Sequence, residues 1–393
     1  MKQKRFFAAL LALAVVGSLS ACNKGGSASG GKDVIYLASV APLSGGTATA
    51  GKDNDSGARL AVEEINAKGG VEINGKKYQI ELISEDDGAD PKQGPIVAQK
   101  VVDHGKVLGV IGHYNSGVTM AANPVYAKAN LFTITPSASN PDVVAKSMKT
   151  ASGSNSSYRM VAHDGMQGPA LAAYANKIGI KKVAIIDDAT TYGKGLADKF
   201  DGKAKELGMD VVYREATTDK ATDFKAILTK IKATDADAIV WGGLEDTAAT
   251  LTKQARELGL KQQLLMFDAV CTDNYITLSG DTSIGVLCSV TGVPLTEMPE
   301  GAAFKERFEK RFNGQKVQGF SPFAYDAVYT VVEAIKKAGT TDDSAKVAAA
   351  MEGIHAKGLS GDIAFEPSGE RKDGMITILE QKGKEFLPIA KSR

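Results

Sequence analysis

Val107-Leu108-Gly109-Val110-Ile111-Gly112-His113-Tyr114-Asn115-Ser116-Gly117 leads into a helical segment, Met120–Lys128, and then into Leu131–Thr135. The first run is short and continuously apolar, as in a parallel strand buried on both faces, and the second has the same character. Together they read as strand, polar turn, helix, strand. Outward from this unit the pattern repeats, with apolar runs at Val34–Ala41, Val183–Ile186, Ala238–Trp241 and Leu264–Phe267. Between the runs lie helical faces. Ala58, Ala61, Val62 and Ile65 fall at i, i+3, i+4, i+7 before Gly69-Gly70, and Phe224, Ile227, Leu228 and Ile231 repeat the spacing. Alternation on this scale predicts an α/β fold with parallel sheets covered by helices on both faces. It is too long for one small sheet, so two doubly wound lobes are expected.

The pattern breaks at Ala151–Ser157, at Gly292–Gly301 and at Pro367–Asp373, the last just before a strand-like Met375–Leu379. Three breaks imply three hinge crossings between the lobes. Lobe 1 is expected over residues 33–154 and 292–370, and lobe 2 over 155–291 and 371–393.

The beginning of the chain has a different character. Lys2, Lys4 and Arg5 precede an apolar run, Phe6–Val16, too short to span a bilayer, and Leu19-Ser20-Ala21-Cys22 follows. This order reads as a signal peptide over residues 1–21, and its ending resembles a bacterial lipobox. Cleavage before Cys22 and lipidation of its thiol are expected, with residues 22–32 as a Gly/Ser tether. The protein is thus expected outside the cytoplasm, held to the membrane by lipid alone.

Charge and motifs narrow the chemistry. With 47 basic and 46 acidic residues, the chain offers no field for nucleic acid or for an anionic membrane surface. His104, His113, His163 and His355 lack metal-ligand spacing, and no cofactor motif is present. His113 and Ser116 invite a hydrolase reading, but the surrounding string is not a Gly-x-Ser-x-Gly elbow. Cys271 and Cys288 could form a disulfide in an oxidising compartment or remain two buried thiols. More informative are the turns after Ile111 and Thr135, where Ser116, Ser137 and Ser139 stand at strand C-terminal ends. Open parallel sheets bind ligands there, and free N–H groups favour an anion.

Several strings carry a family resemblance in order: Ala41-Pro42-Leu43-Ser44-Gly45, Ala61–Gly70, Asp86–Pro91, Val110–His113, Pro136–Pro141, Tyr192–Gly195 and Tyr325-Asp326-Ala327. Over Asp33–Leu387 the chain resembles the leucine/isoleucine/valine-binding proteins, periplasmic binding proteins of type I that feed ABC importers. The resemblance implies a clamshell closing on a zwitterionic amino acid. It implies that Ser116 and Ser139, with backbone groups of Tyr114, Ser137 and Ala138, hold the α-carboxylate and α-ammonium. Tyr192 would pack over the ligand, and Asp268 stands where the family places a glutamate for the ammonium. Ala50 takes the place of an aromatic pocket wall, and Gly88 and Asn115 replace a cysteine pair found in some relatives.

The sequence thus reads as a lipid-anchored, monomeric, non-enzymatic solute-binding protein without a cofactor. It would deliver branched-chain or other apolar amino acids to an ABC permease and its ATPase. The alternatives are a sensor of the same fold binding an amide or small carboxylate, and an extracytoplasmic hydrolase.

Overall fold

The computed structural model describes residues 33–392. The signal and lipobox readings, Cys22 included, lie outside the described residues.

In the first sheet, β1 (Val34–Ala41), β2 (Val71–Ile73), β3 (Lys76–Asp86), β4 (Val107–Gly112), β5 (Thr133–Thr135) and β6 (Ser157–Arg159) are ordered β2-β3-β1-β4-β5-β6. The second sheet uses β7 (Lys182–Asp187), β8 (Asp210–Ala216), β9 (Ala238–Gly242), β10 (Gln263–Met266) and β11 (Leu287–Thr291). After a separate hairpin, β12 (His355–Gly358) and β13 (Gly361–Ala364), it gains β14 (Ile376–Lys382) and β15 (Glu385–Ser392). Its order is β15-β14-β11-β10-β9-β7-β8.

The helices follow the connections between strands. These are α1 (Ala48–Ala67), α2 (Gly94–Asp103), α3 (Ser116–Lys128), α4 (Asp142–Ala145), α5 (Asp164–Lys177) and α6 (Thr191–Glu206). Then come α7 (Lys225–Lys232), α8 (Glu245–Glu257), α9 (Asp273–Ser279), α10 (Gly301–Arg311), α11 (Ser321–Ala338) and α12 (Ser344–Met351). Both faces of each sheet are covered. In lobe 1, one face packs against α1 and α11 through Leu37, Leu60, Phe132 and Val331, and the other packs against α2 and α3 through Val40, Val101, Val110 and Tyr126. In lobe 2, α5 and α6 cover one face around Phe200, while α7 to α9 cover the other around Trp241 and Phe224. Double coverage is why the central strands are unbroken apolar runs.

The expected parallel sheets form the centres of both lobes, with antiparallel strands added at their edges: β2 pairs antiparallel with β3, and β14 runs antiparallel to both β11 and β15. Asn74-Gly75, both at positive φ, closes a two-residue hairpin that forces β2 back beside β3. The expected boundary at 154/155 moves. Residues 157–159 form β6 beside β5, so the chain leaves lobe 1 after Arg159. The Ser-rich stretch before it is a turn within lobe 1, exposed over residues 151–153 and buried from Ser154 onward. The other crossings lie after Thr291 and between Arg371 and Ile376.

Cys271 and Cys288 are joined by a disulfide, with Cα atoms 6.0 Å apart across 17 residues. It ties the turn after β10 to β11. Closing a loop of that length restricts the unfolded chain by about 3 kcal/mol. The Cys271→Ser/Cys288→Ser double variant is therefore expected to lose about that much unfolding free energy in urea. An unchanged midpoint would show that the bridge constrains nothing.

Candidate ligand-binding cleft

Parallel strands of both sheets end at one cleft, and the turns that follow them supply its walls. After β4, Tyr114 and Asn115 lead into α3, which begins at Ser116 with Asn115 at the cap position. After β5, Thr135 organises the next turn: its hydroxyl donates to the His113 carbonyl (2.8 Å) and accepts the N–H of Ala138 (2.9 Å). Ser137 donates to the Tyr114 carbonyl (3.1 Å) and accepts from Asn54 of α1 (3.2 Å). The fully buried Arg159 donates to the Ala138 carbonyl (2.7 Å) and makes a two-pronged pair with Glu370 (both 2.9 Å). That guanidinium joins the turn to the segments that enter the first and third crossings.

Lobe 2 contributes the opposite wall. Thr190 caps α6 by accepting the Gly193 N–H (2.9 Å), which sets Tyr192 in the first turn. The Tyr192 hydroxyl donates to Asp268 (2.6 Å), which follows β10 at the start of a single 3-10 turn. The Ala269 N–H also donates to Asp268 (3.2 Å). Burial raises the Asp268 carboxyl above the usual carboxylate range, and the Tyr192 hydrogen bond opposes that shift.

Between the walls is a small cavity lined by Tyr114, Asn115, Ser116, Ser137, Tyr192, Leu244, Asp268, Ala269 and Phe320. Asn140 crosses to the Thr191 carbonyl (2.9 Å) beside it. The lining holds one carboxylate and no cation. Around it the field is negative. Burial and then the charges of Glu245, Asp268 and Asp53 push the Tyr114 hydroxyl well up. Asp53, itself raised to about 6 by burial, accepts N–H groups of Gln318, Phe320 and Ser321, which holds Phe320 edge-on to Tyr114.

The structure thus gathers Tyr114, Ser116, Ser137, Tyr192 and Asp268 on one cavity. Ala138 and Ser139 stand behind the wall. Both backbone groups of Ala138 bond within the protein, whereas the buried Ser139 hydroxyl has no partner. Ala50 does not reach the cavity. It lies in the first turn of α1, packed into the lobe 1 core. Leu244 follows a strand end and obeys the rule that finds Ser116. Phe320 gives no such signal, because a distant carboxylate positions it. Both ring nitrogens of His113 are taken, by Asp87 (2.8 Å) and Tyr126 (3.2 Å), and the Ser116 hydroxyl accepts the Asn140 N–H (3.2 Å). Among the described residues no cluster of three or more His, Cys, Asp or Glu could hold a metal.

Two lobes, a cleft at their strand ends and polar groups facing apolar walls define a ligand-binding receptor of the clamshell type. The periplasmic binding protein family matches residues 34–385, and the chain belongs to that family. It is 34% identical over 389 residues to an amino acid binding protein of Pseudomonas aeruginosa, covering 98% of this chain and 99% of that one. It is 32% identical to the Leu/Ile/Val-binding protein homolog 1 of Brucella abortus over 87% of this chain and 89% of the relative. Among solved structures, LivJ of Streptococcus pneumoniae, a branched-chain amino acid transporter substrate-binding protein in complex with isoleucine, superposes with a TM-score of 0.80. The two are 26% identical, over 91% of this chain and 100% of that one. A Rhodopseudomonas palustris solute-binding protein in complex with 4-hydroxybenzoate shares the fold, with a TM-score of 0.80 at 22% identity over 92% and 97% of the two chains.

Tyr192→Phe removes the hydroxyl donor from a buried carboxylate. The change should cost about 1.5–3 kcal/mol of ligand-free stability at pH 7, read by urea unfolding. The Asp268 carboxyl is already raised in the folded state, so losing the donor raises it further. The destabilisation should grow with rising pH and fade at acid pH, where the folded wild type and the folded variant both hold the proton. A pH-independent cost would contradict the hydrogen bond's role.

Proposed function

We propose that this protein is the lipid-anchored, extracytoplasmic solute-binding component of an ABC importer, and that it binds amino acids with apolar side chains. The carrying observation is the pairing of a buried carboxylate, Asp268, with hydroxyl and N–H groups on the facing lobe in a cavity without a cation. A zwitterion complements both ends. Its ammonium faces Asp268, its carboxylate faces Ser116 and Ser137, and its side chain faces Leu244, Ala269 and Phe320. The relatives named for amino acids or for leucine, isoleucine and valine support the same class.

An aromatic carboxylate suits the site less well, since it brings an anion and leaves Asp268 without a counter-charge. Nucleophilic catalysis has no support either, because His113 is spent on Asp87 and Tyr126. The receptor binds and releases its ligand unchanged. Hinge closure around the ligand would create the surface a membrane permease recognises. Cys22 carries the lipid in this reading, and among the described residues no helix is long and apolar enough to cross a membrane.

Removing one member of a buried, hydrogen-bonded charge pair typically costs about 2–5 kcal/mol, roughly thirty- to several-thousand-fold in affinity. Asp268→Asn keeps the shape and deletes the charge. Calorimetry should show that loss for an apolar amino acid but a far smaller one for its 2-oxo analogue. Equal losses would remove the ammonium role, and a wild type preferring the oxo acid would overturn the amino-acid assignment.

A further inference from the structure

Asn140 ends the turn after β5 and joins the two walls of the cleft, although it does not itself line the cavity. Every polar group of this buried residue is used. Its N–H donates to the Ser116 hydroxyl (3.2 Å), and its carbonyl accepts the Val143 N–H (3.1 Å). Its side-chain oxygen accepts the Asp142 N–H (2.9 Å). Those three bonds stay within lobe 1. The fourth crosses the cleft: the side-chain nitrogen donates to the carbonyl of Thr191 (2.9 Å), the residue before Tyr192 in the first turn of α6.

The lobes come this close because glycines stand where side chains would intervene. A Cβ on Gly195, one turn beyond Thr191, would meet the Asn140 side-chain nitrogen at 2.5 Å. A Cβ on Gly117, in the first turn of α3, would lie 3.1 Å from the Thr191 hydroxyl. The Asn140 amide has no room to retreat while it holds both Asp142 and Thr191. Glycine weakens a helix interior relative to alanine, so Gly195 costs α6 stability that its own helix does not recover. Close approach of the other lobe is what the missing side chain permits.

We propose that Asn140 is a positioning residue that latches the two lobes together, coupling the Ser116 hydroxyl on one wall to the Tyr192 turn on the other through the Thr191 carbonyl. This rests on the receptor reading above and deepens it by naming the contact that sets how long a ligand stays. Both ends of the coupling are physical. Accepting the Asn140 N–H leaves the proton of Ser116 for the ligand carboxylate. Holding the Thr191 carbonyl fixes the turn whose Tyr192 hydroxyl donates to Asp268. A bond across the cleft exists only while the lobes are together, so it forms after the ligand has entered. Its loss therefore appears in dissociation and not in association.

The test follows association and chase of radiolabelled L-leucine on wild type, Asn140→Asp, Gly195→Ala and the double variant, with urea unfolding of each. Asn140→Asp keeps the acceptor for the Asp142 N–H, so the lobe 1 turn survives, but it sets a carboxylate oxygen against the Thr191 carbonyl. Gly195→Ala leaves Asn140 in place and favours helix, so it should unfold no earlier than wild type. Each single variant should speed leucine release about tenfold and leave association within about twofold. The double variant should release leucine at about the rate of the faster single, because both changes break one contact. Spin labels on Lys92→Cys and Lys194→Cys, at exposed positions of lobe 1 and lobe 2, should lie farther apart when Asn140→Asp is added. Unchanged release in both single variants refutes the latch and leaves the amino-acid reading standing. Fully additive losses, or an unfolding midpoint that falls in step with faster release, refute it too. If wild type binds no L-leucine, the amino-acid reading falls and the spin labels decide the latch: a longer separation in Asn140→Asp upholds it, and an equal one refutes it.

Discussion

A buried carboxylate without a buried cation organises this cleft. Asp268 is 4% exposed, and its hydrogen bonds come from the Tyr192 and Thr291 hydroxyls and the N–H of Ala269. Neutral donors can hold a carboxylate in place, but they do not cancel its charge. The cost of keeping that charge from water is carried by the folded protein until a cation enters. Such a site prefers ligands that bring positive charge and discriminates against those that bring only negative charge. The proposed selectivity for a zwitterion rests on what the cavity lacks as much as on what it contains.

The facing lobe answers with rigidity. Thr135 fixes the turn of Ser137 and Ala138 from within, and Arg159 fixes it from behind while gripping Glu370. Because Arg159 ends β6 just before the first crossing and Glu370 sits just before the third, one guanidinium ties the entries of both connections to the turn after β5. Breaking a buried pair of this kind is costly, since the surviving charge stays buried. Asp53 plays a parallel part for Phe320, gathering three N–H groups at the start of α11. A hinge can swing two lobes only if each presents its contacts as a rigid body, and these buried polar clamps supply that rigidity.

Much of the architecture was legible because burial on both faces leaves continuous apolar runs, and the strand ends they mark led to Ser116 and Ser137, while Asp268 came from the family resemblance. The antiparallel edges were less legible. The short β2 depends on the Asn74-Gly75 turn and not on periodicity, while β14 and β15 join a sheet begun far earlier in the chain. The crossing after Arg159 was misplaced because a serine-rich turn resembles a linker whether or not one more strand follows it. Ala50 was carried over from a resemblance, and position alone does not say which way the first turn of a helix faces.

The most direct test is a crystal structure of the protein with L-leucine. The ammonium nitrogen is expected within hydrogen-bond distance of the Asp268 carboxylate and the ligand carboxylate against Ser116 and Ser137, with the side chain among Leu244, Ala269 and Phe320. A ligand carboxylate turned toward Asp268, or leucine bound outside the interlobe cleft, would contradict it.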